Sequence, residues 1–246
     1  MGLTVTVLGS SGTCSGVDND CSGFLVRSAT TTVMLDAGPG TFANLQRHVH
    51  PSQLDALLIS HSHPDHWLDL PMIRNALRYV FRVDGVPLYT TQETLDFAHE
   101  VSSEDGLGST FVPQVISDGS EVRIGDLTVR CSRTDHPVET LAVRIDHDGR
   151  SFAYTSDTGP AWSLAELGTG IDLAISEATY LEGSEEATPV HLSALQAGKL
   201  ARAAGVGRLV ISHVLPTGSP AATAAEAGDA YGAPVEVAEP HRTFDV

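Results

Sequence analysis

Three histidines and one aspartate lie within six consecutive residues of this chain. The segment reads His61-Ser62-His63-Pro64-Asp65-His66. Residues 57–60 before it are mostly apolar and predict a β-strand that ends where the ionisable residues begin. Imidazole and carboxylate groups that leave a strand end together suit one divalent metal ion, or two ions a few ångströms apart. A purification tag would lie at a terminus and lack both the interleaved aspartate and the apolar strand.

Four more ionisable residues follow predicted strands in the same way. They are Asp36, His136, Asp157 and His213. Loops at strand ends are where rigid scaffolds commonly carry chemistry. Taken singly, a histidine at such a place more often has a structural role, and Asp157 would fit an Asx turn. The ordered set together with the six-residue cluster indicates a metal site.

A second group of interest comes late in the chain, at Glu177 and His191. Ser193 and Gln196 have the spacing of a capping box, which predicts that a helix begins there. His191 therefore lies beside a helix N-terminus, whose free N–H groups attract anions. A histidine at this place suits contact with a phosphate oxygen or protonation of a leaving alkoxide. A structural histidine bonded to a loop carbonyl is the alternative.

The elements that must position these residues fall into two halves, each rich in strands and then helical. Two such halves predict two packed sheets with helices outside. Strands are predicted at residues 3–8, 24–27, 32–35, 57–60, 88–90, 121–124, 127–132, 141–145, 152–154, 173–175, 209–211 and 235–237. Helices are predicted at residues 42–48, 68–81, 93–101, 194–204 and 221–231.

Composition describes an acidic globular chain. It has 246 residues, 41% of them hydrophobic, which is enough for one sizeable α/β domain. The formal net charge is −17, so the body repels polyanions and a phosphate-bearing substrate has to be held locally. The three cysteines are an odd number without CxxC spacing, which favours a reducing cytoplasm over a disulfide framework. No signal-peptide pattern or membrane-spanning run is seen, so we expect a cytoplasmic protein without a membrane partner.

The ordered set resembles the metal-binding signature of the metallo-β-lactamase superfamily: His61-x-His63-x-Asp65-His66, then His136, Asp157 and His213. Gly9-Ser10-Ser11-Gly12 and the turn at residues 35–40 resemble early motifs of that family. The resemblance covers the chain from its first strand to its last. It implies an α/β fold, a four-layer αββα sandwich, as a single domain over residues 1–246. The site would lie at one edge between the sheets.

The resemblance also implies a role for each residue of the set. One metal ion would be held by His61, His63 and His136, and a second by Asp65, His66 and His213. Asp157 would bridge both ions, and Asp65 would also orient or deprotonate a water between them. Asp36 would orient a ligand histidine. Ligation by nitrogen and oxygen alone fits two zinc ions, with manganese or iron as alternatives.

Glu177-Ala178-Thr179 and His191 resemble motifs of the ribonuclease Z branch, with Ser176 in place of that branch's first histidine. By this resemblance His191 acts on the leaving group and Glu177 orients it, so both join Asp65 as catalytic residues. The implied reaction is phosphodiester hydrolysis assisted by two divalent metal ions.

The substrate is expected to be small. Ribonuclease Z enzymes grip tRNA with a basic protruding arm, and no such insertion or basic cluster is seen in this acidic sequence. Residues 136–140 resemble short bacterial cyclic-nucleotide phosphodiesterases of the superfamily. We therefore expect hydrolysis of a cyclic nucleotide or another small phosphodiester. Four residues are named as candidate substrate contacts: Trp67, Arg74, Arg78 and Tyr180.

Three other functions stay open from the sequence. They are a tRNA 3′-processing endonuclease, a lactonase, thioesterase or β-lactamase on the same scaffold, and a metal-stabilised scaffold without catalysis. A complete ligand set with the Glu177–His191 pair weighs against the last. The family resemblance also implies a homodimer.

Overall fold

Two seven-stranded mixed sheets form the centre of the molecule in a computed structural model that describes residues 2–102, 105–184 and 189–246. The first sheet contains β1 Thr4–Gly9, β2 Gly23–Arg27, β3 Thr32–Leu35, β4 Ala56–Leu58, β5 Val86–Thr90, β6 Phe111–Val115 and β14 Thr243–Asp245. The second contains β7 Glu121–Ile124, β8 Leu127–Arg133, β9 Leu141–His147, β10 Arg150–Tyr154, β11 Leu173–Glu177, β12 Arg208–Ser212 and β13 Glu236–Val237.

The strand order is β14-β1-β2-β3-β4-β5-β6 in the first sheet and β13-β12-β11-β10-β9-β8-β7 in the second. Strands β3 to β6 run parallel to one another, as do β10 to β13. The remaining pairs are antiparallel. Parallel strands need crossover connections, which is why helices cover the outer faces.

Helices lie on the outside of both sheets. They are α1 Thr41–Leu45, α2 Pro64–Trp67, α3 Leu70–Asn75, α4 Gln92–Ser102, α5 Ala194–Ala203 and α6 Pro220–Tyr231. A π-helical turn, Ala76–Phe81, continues α3, and 3₁₀ turns form at Pro51–Gln53 and Leu164–Leu167. The predicted capping box is confirmed: Gln196 N–H donates to Ser193 Oγ at 3.2 Å, and Ser193 N–H donates to Gln196 Oε1 at 2.8 Å.

Buried apolar residues form a central core between the sheets and further cores beneath the helices. Phe24 and Val33 of the first sheet meet Ile145 and Phe152 of the second in the central core. Separate clusters fill the spaces under the helices on each side. These four layers confirm the predicted αββα sandwich. The extent of a single domain over residues 1–246 stays a prediction.

The predicted secondary structure is wrong in several places. The helix predicted at residues 68–81 is broken into α3 and the π-helical turn, and α2 precedes it. Pro64 and Pro71 lie in the first turns of α2 and α3, where a missing N–H costs nothing, and this divides the segment. Strand β6 was missed because Pro113 lies inside it, which is tolerated since β6 is an edge strand.

Strand β14 was also missed, and the predicted helix at residues 42–48 is shorter, as α1. Within the described ranges, no helix combines the length and apolarity that crossing a lipid bilayer requires.

Candidate metal centre

The ends of six strands bring the predicted site residues to one edge of the sandwich. Within each sheet these strands run in the same direction, so their carboxyl ends meet there. Asp36 directly follows β3, and His61 comes three residues after β4. The second sheet supplies the others: His136 after β8, Asp157 after β10, Glu177 at the end of β11 and His213 after β12.

Three residues at this edge adopt a left-handed backbone conformation. The φ angles are 58° at Asp36, 51° at Ser156 and 59° at His213. Non-glycine residues rarely adopt this conformation, and such strain concentrates at functional sites. The left-handed conformation turns the backbone sharply near the strand ends and so directs these side chains.

All seven predicted ligands come together in two adjoining groups. In the first, ligand atoms lie within 4.8 Å of one another in His61, His63, His136 and Asp157. The second group meets the same limit with Asp65, His66 and His213. The two groups together fit two cations.

The carboxylate of Asp157 lies between the two groups. Its Oδ2 is 3.6 Å from His61 Nε2 and 3.9 Å from His136 Nε2. Its Oδ1 faces the second group, 3.3 Å from His66 Nε2 and 3.4 Å from His213 Nε2. One oxygen therefore faces each group, which is the arrangement of a bridging ligand.

Four histidines of the site are fixed through Nδ1, which leaves Nε2 for the cluster. His61 Nδ1 lies 3.0 Å from Ser60 Oγ, and His66 Nδ1 lies 2.7 Å from Asp36 Oδ2. His136 Nδ1 donates to the Val190 carbonyl at 2.9 Å, and His213 Nδ1 lies 2.9 Å from Thr179 Oγ1. Partners of this kind set the tautomer and ring orientation of metal-binding histidines.

Asp36 connects several parts of the site although it lies outside both ligand groups. Besides His66, its carboxylate accepts the Ser60 N–H at 2.7 Å, the Ser60 hydroxyl at 2.9 Å and the Tyr154 hydroxyl at 3.0 Å. Burial raises the pKa of Tyr154 well above its usual value, and the nearby carboxylates raise it further. The phenol therefore stays protonated and donates to Asp36.

Among the described residues, three buried atoms of the site lack a hydrogen-bond partner, namely Nε2 of His61, Nε2 of His66 and Oδ1 of Asp157. Their short mutual distances do not have hydrogen-bond geometry. Buried polar atoms without a partner are costly, and a cation bound between these nitrogen and oxygen atoms would satisfy them. The nitrogen and oxygen donor set fits zinc, manganese or iron.

Neighbouring charges within the site shift one another's pKa values. Burial would raise the pKa of Asp157, but His213 and His66 outweigh it and hold that pKa well below its usual value. Burial would lower the pKa of His66, but Asp157 and Asp36 raise it well above its usual value. Burial and the neighbouring His66 lower the pKa of His61, which is therefore neutral.

Asp65 is held by the loop that follows β1. The Thr13 N–H donates to Asp65 Oδ2 at 2.9 Å, and the same oxygen lies 3.3 Å from His213 Nε2. Burial would raise the pKa of Asp65, but bonding to His213 and the charge of His66 hold it below its usual value. Asp65 is therefore ionised at neutral pH and available to a cation or to the proton of a water.

Glu177 is almost fully buried, at 1% exposure, and accepts four hydrogen bonds. They come from Thr158 N at 2.5 Å, Thr179 Oγ1 at 2.8 Å, Leu192 N at 3.1 Å and His191 Nδ1 at 3.1 Å. This carboxylate cannot shift without losing partners. His191 is held through Nδ1, and none of the described residues forms a hydrogen bond with its Nε2.

His191 is cationic at neutral pH. Burial would lower its pKa, but Glu177 and then Asp157 outweigh that effect and raise the pKa to about 9. The ring stands above the centre, with Nδ1 3.9 Å from Asp157 Oδ2. A protonated imidazole at this place can donate to an anion bound at the metal groups.

A cleft of about 300 Å³ opens onto this centre. Its lining residues are Thr13, His63, Pro64, Asp65, Asp157, His191 and His213. His63 and His191 are the half-exposed members of the cluster, so the cleft admits a ligand from their side.

The four candidate substrate contacts lie in different settings. Tyr180 is half-buried, with its ring centre 6.2 Å from that of His191. Trp67 is buried and donates from Nε1 to the Ser62 carbonyl at 2.8 Å, so it supports the histidine-rich loop. Arg74 is buried, and both it and Arg78 bond to Asp105. Neither arginine is among the described residues that line the cleft.

Sequence reasoning missed several groups that hold the site together. They are the Thr13 N–H, the Ser60 and Thr179 hydroxyls, the Tyr154 hydroxyl and the Val190 carbonyl. The backbone groups leave no trace in residue type. Ser60 and Thr179 stand next to identified residues, and that adjacency was an available signal.

Comparison with known proteins agrees with this fold. A family described as Beta-lactamase superfamily domain matches residues 31–214. The chain belongs to this family and has the metallo-β-lactamase fold.

Three relatives illustrate the similarity. Uncharacterized protein Rv1339 of Mycobacterium tuberculosis is 35% identical over 99% of this chain and 92% of that protein. Ribonuclease Z of Mycolicibacterium gilvum is 29% identical over 89% of this chain and 86% of that enzyme. The crystal structure of the metallo-β-lactamase fold protein YhfI from Bacillus subtilis has a TM-score of 0.90 at 23% identity, with 100% of both chains covered.

Proposed function

We propose that this protein is a metal-dependent phosphodiesterase that hydrolyses small phosphodiesters, with cyclic nucleotides as the preferred class. One observation carries the proposal: His191, held by the buried Glu177 at 3.1 Å, stands over a cluster of seven candidate metal ligands. A lactone, thioester or β-lactam has no phosphoryl oxygens for a cationic imidazole to contact. The similarity to a ribonuclease Z supports chemistry at phosphorus.

One ion would be held by His61, His63, His136 and Asp157, and the other by Asp65, His66, His213 and Asp157. Bound there, two divalent ions, zinc in the first instance, would supply Lewis acidity and lower the pKa of a water. Asp65, His191 and Glu177 would orient the water and protonate the leaving group.

Asp65 orients a water by accepting its proton in a hydrogen bond. A carboxylate with a lowered pKa is a weak base, so orientation is favoured over full proton removal. The Thr13 N–H keeps the carboxylate oxygen in place at 2.9 Å.

His191 donates its Nε2 proton to the leaving oxygen. Glu177 accepts from Nδ1, so it fixes the ring and favours the cationic form. Removing such a proton donor lowers the rate most when the leaving group is a poor one, because a stable anion needs no proton.

The small substrate is supported by charge. The formal net charge is −17, and long-range attraction of a polyanion such as tRNA is unfavourable. Between Asp157 and His213, the described residues fold into β11, α5, β12 and short turns close to the body. Within those residues no protruding basic arm is seen.

The test is a panel of hydrolysis assays on protein of known metal content. The substrates are 3′,5′-cyclic AMP, a 2′,3′-cyclic nucleotide, bis(4-nitrophenyl) phosphate, a lactone, nitrocefin and a pre-tRNA. We expect turnover of the diesters. His191→Ala should lower the rate on cyclic AMP about 100-fold or more and that on the nitrophenyl diester much less, with metal content unchanged. Turnover of the lactone or nitrocefin without any diester would contradict the proposal.

A tRNA 3′-processing endonuclease is the second candidate, favoured by the ribonuclease Z similarity. Specific pre-tRNA cleavage at low enzyme concentration, with slow cyclic-nucleotide turnover, would establish it instead. The homodimer implied by the family resemblance and the cytoplasmic location expected from the cysteine pattern stay predictions.

A further inference from the structure

A second and larger cavity, of about 410 Å³, lies beside the catalytic cleft. The two share a thin wall. Thr13 and His213 line the cleft, while Ser11 and Val214, which form a parallel bridge, line the cavity. Between them Gly12 N–H donates to the Val214 carbonyl at 3.1 Å. A ligand bound in the cleft can therefore extend across this wall into the cavity.

The cavity differs from the cleft in chemistry. The cleft is lined mainly by histidines and aspartates, whereas none of the described residues that line the cavity is ionisable. The cavity presents aliphatic side chains, such as Val214 and Pro216, together with serine hydroxyls. This mixture suits a neutral group with a flat apolar face and polar edges.

Val17 lies at the rim of the cavity and is 94% exposed. An aliphatic side chain gains from being covered, and a planar ring over Val17 would bury it. Ser11 donates its hydroxyl hydrogen to the Cys14 carbonyl at 2.7 Å. Toward a ligand this hydroxyl can therefore only accept, which fits an amino group.

We propose that the cavity binds the nucleoside part of the substrate, with a preference for an amino-bearing base, while the phosphodiester lies in the cleft. This inference rests on the proposed function, which it extends from a substrate class to the residues that recognise the nucleoside. Residues 11–19 and 214–218 would then determine specificity.

Gly16→Leu is the sharpest probe of this site. A Cβ at Gly16 would lie 3.5 Å from Pro216 Cβ and 3.7 Å from Ser11 Oγ, so a side chain fits and projects between two lining residues. Val17→Ser removes the exposed apolar contact without disturbing a core. Val80→Ser, at a site 69% exposed on the helical side of the first sheet, is the matched control.

Two measurements are made on the metal-loaded protein after melting curves confirm that the variants fold. The first is KM for cyclic AMP, which should rise about tenfold or more in Gly16→Leu and severalfold in Val17→Ser. Both variants should hydrolyse 4-nitrophenyl methyl phosphate at the wild-type rate. The Val80→Ser control should keep the wild-type KM for cyclic AMP. The second is nucleoside binding measured by calorimetry. The wild type should bind adenosine, and uridine more weakly, whereas Gly16→Leu should bind neither.

The outcomes separate the two proposals. If the wild type hydrolyses no phosphodiester yet binds adenosine in a Gly16-dependent way, the proposed function fails and the binding site stands. If diesters are hydrolysed but Gly16→Leu changes neither KM for cyclic AMP nor adenosine binding, the nucleoside site is overturned. Equal losses on both substrates would also overturn it, because the variant would then disturb the centre itself.

Discussion

The hydroxyl of Thr179 lies 2.9 Å from Nδ1 of His213 and also donates to Oε2 of Glu177 at 2.8 Å. Because the carboxylate can only accept, Thr179 gives its hydrogen to Glu177 and accepts the N–H of His213. One side chain thus sets the tautomer of a metal-ligand candidate and braces the carboxylate that holds His191. The metal groups and the Glu177–His191 pair are joined at this residue.

Thr179→Val should weaken both metal binding at His213 and the support that Glu177 gives to His191. It leaves the His213 N–H without its acceptor and removes one of the two hydrogen bonds that Glu177 Oε2 accepts. Loss of such a supporting hydrogen bond typically costs about 10–100-fold in metal affinity. Zinc titration against a competing chelator measures this effect. Thr179→Ser keeps the hydroxyl and should restore most of the affinity. Equal metal affinity in the valine variant and the wild type would show that the bond to His213 has no such role.

The activity should fall at high pH because His191 must be protonated to donate. With a pKa raised to about 9, the ring is charged at neutral pH and loses its proton as the pH rises through that value. Glu177→Gln removes the charge that raises the pKa, so the basic limb of the kcat/KM profile for cyclic AMP should move to lower pH. A basic limb that is unchanged in Glu177→Gln would exclude His191 as its source.

Metal binding should release protons. Asp157 and Asp36 raise the pKa of His66 well above its usual value, so His66 carries a proton before a cation binds and must lose it to offer Nε2. Metal affinity should therefore increase with pH. Calorimetric zinc titrations of the apoprotein in buffers of different ionisation enthalpy will measure the protons released. Asp36→Asn should release fewer of them, and identical heats in all buffers would contradict the prediction.

The clustering of the seven candidate ligands could be predicted because most of them are ionisable residues that follow an apolar strand. Asp157 and His213 are clear examples, since β10 and β12 before them are nearly all buried. The hydrogen bonds that orient these ligands could not be predicted. Val190 acts through a backbone carbonyl, and Tyr154 is hidden within the apolar pattern of its own strand.

Helical periodicity wrongly predicted one continuous helix at residues 68–81. The spacing in residues 68–81 predicts one buried face with Leu70, Ile73, Leu77 and Val80, and the first three are indeed buried. Val80 is 69% exposed, because the chain passes into the wider π-helical turn before it and the apolar face no longer points inward. The cavity beside the cleft was also beyond sequence reasoning, since it joins residues such as Ser11 and Val214 that lie about 200 positions apart in the chain.

Gly38→Ala should destabilise both the fold and the metal centre. A Cβ at Gly38 would lie 2.1 Å from the Asp65 carbonyl oxygen and 2.7 Å from Cys21 Cβ, so the backbone beside Asp65 would have to move. Overpacking of this kind costs about 1–3 kcal/mol. The checks are urea unfolding of the metal-free protein and zinc content after purification. Gly16→Ala is the control, because its Cβ meets its nearest neighbour at an ordinary 3.5 Å. Equal stability of the two variants would show that the Asp65 loop yields easily, and the tight approach of residues 38 and 65 would then have no part in fixing the ligand.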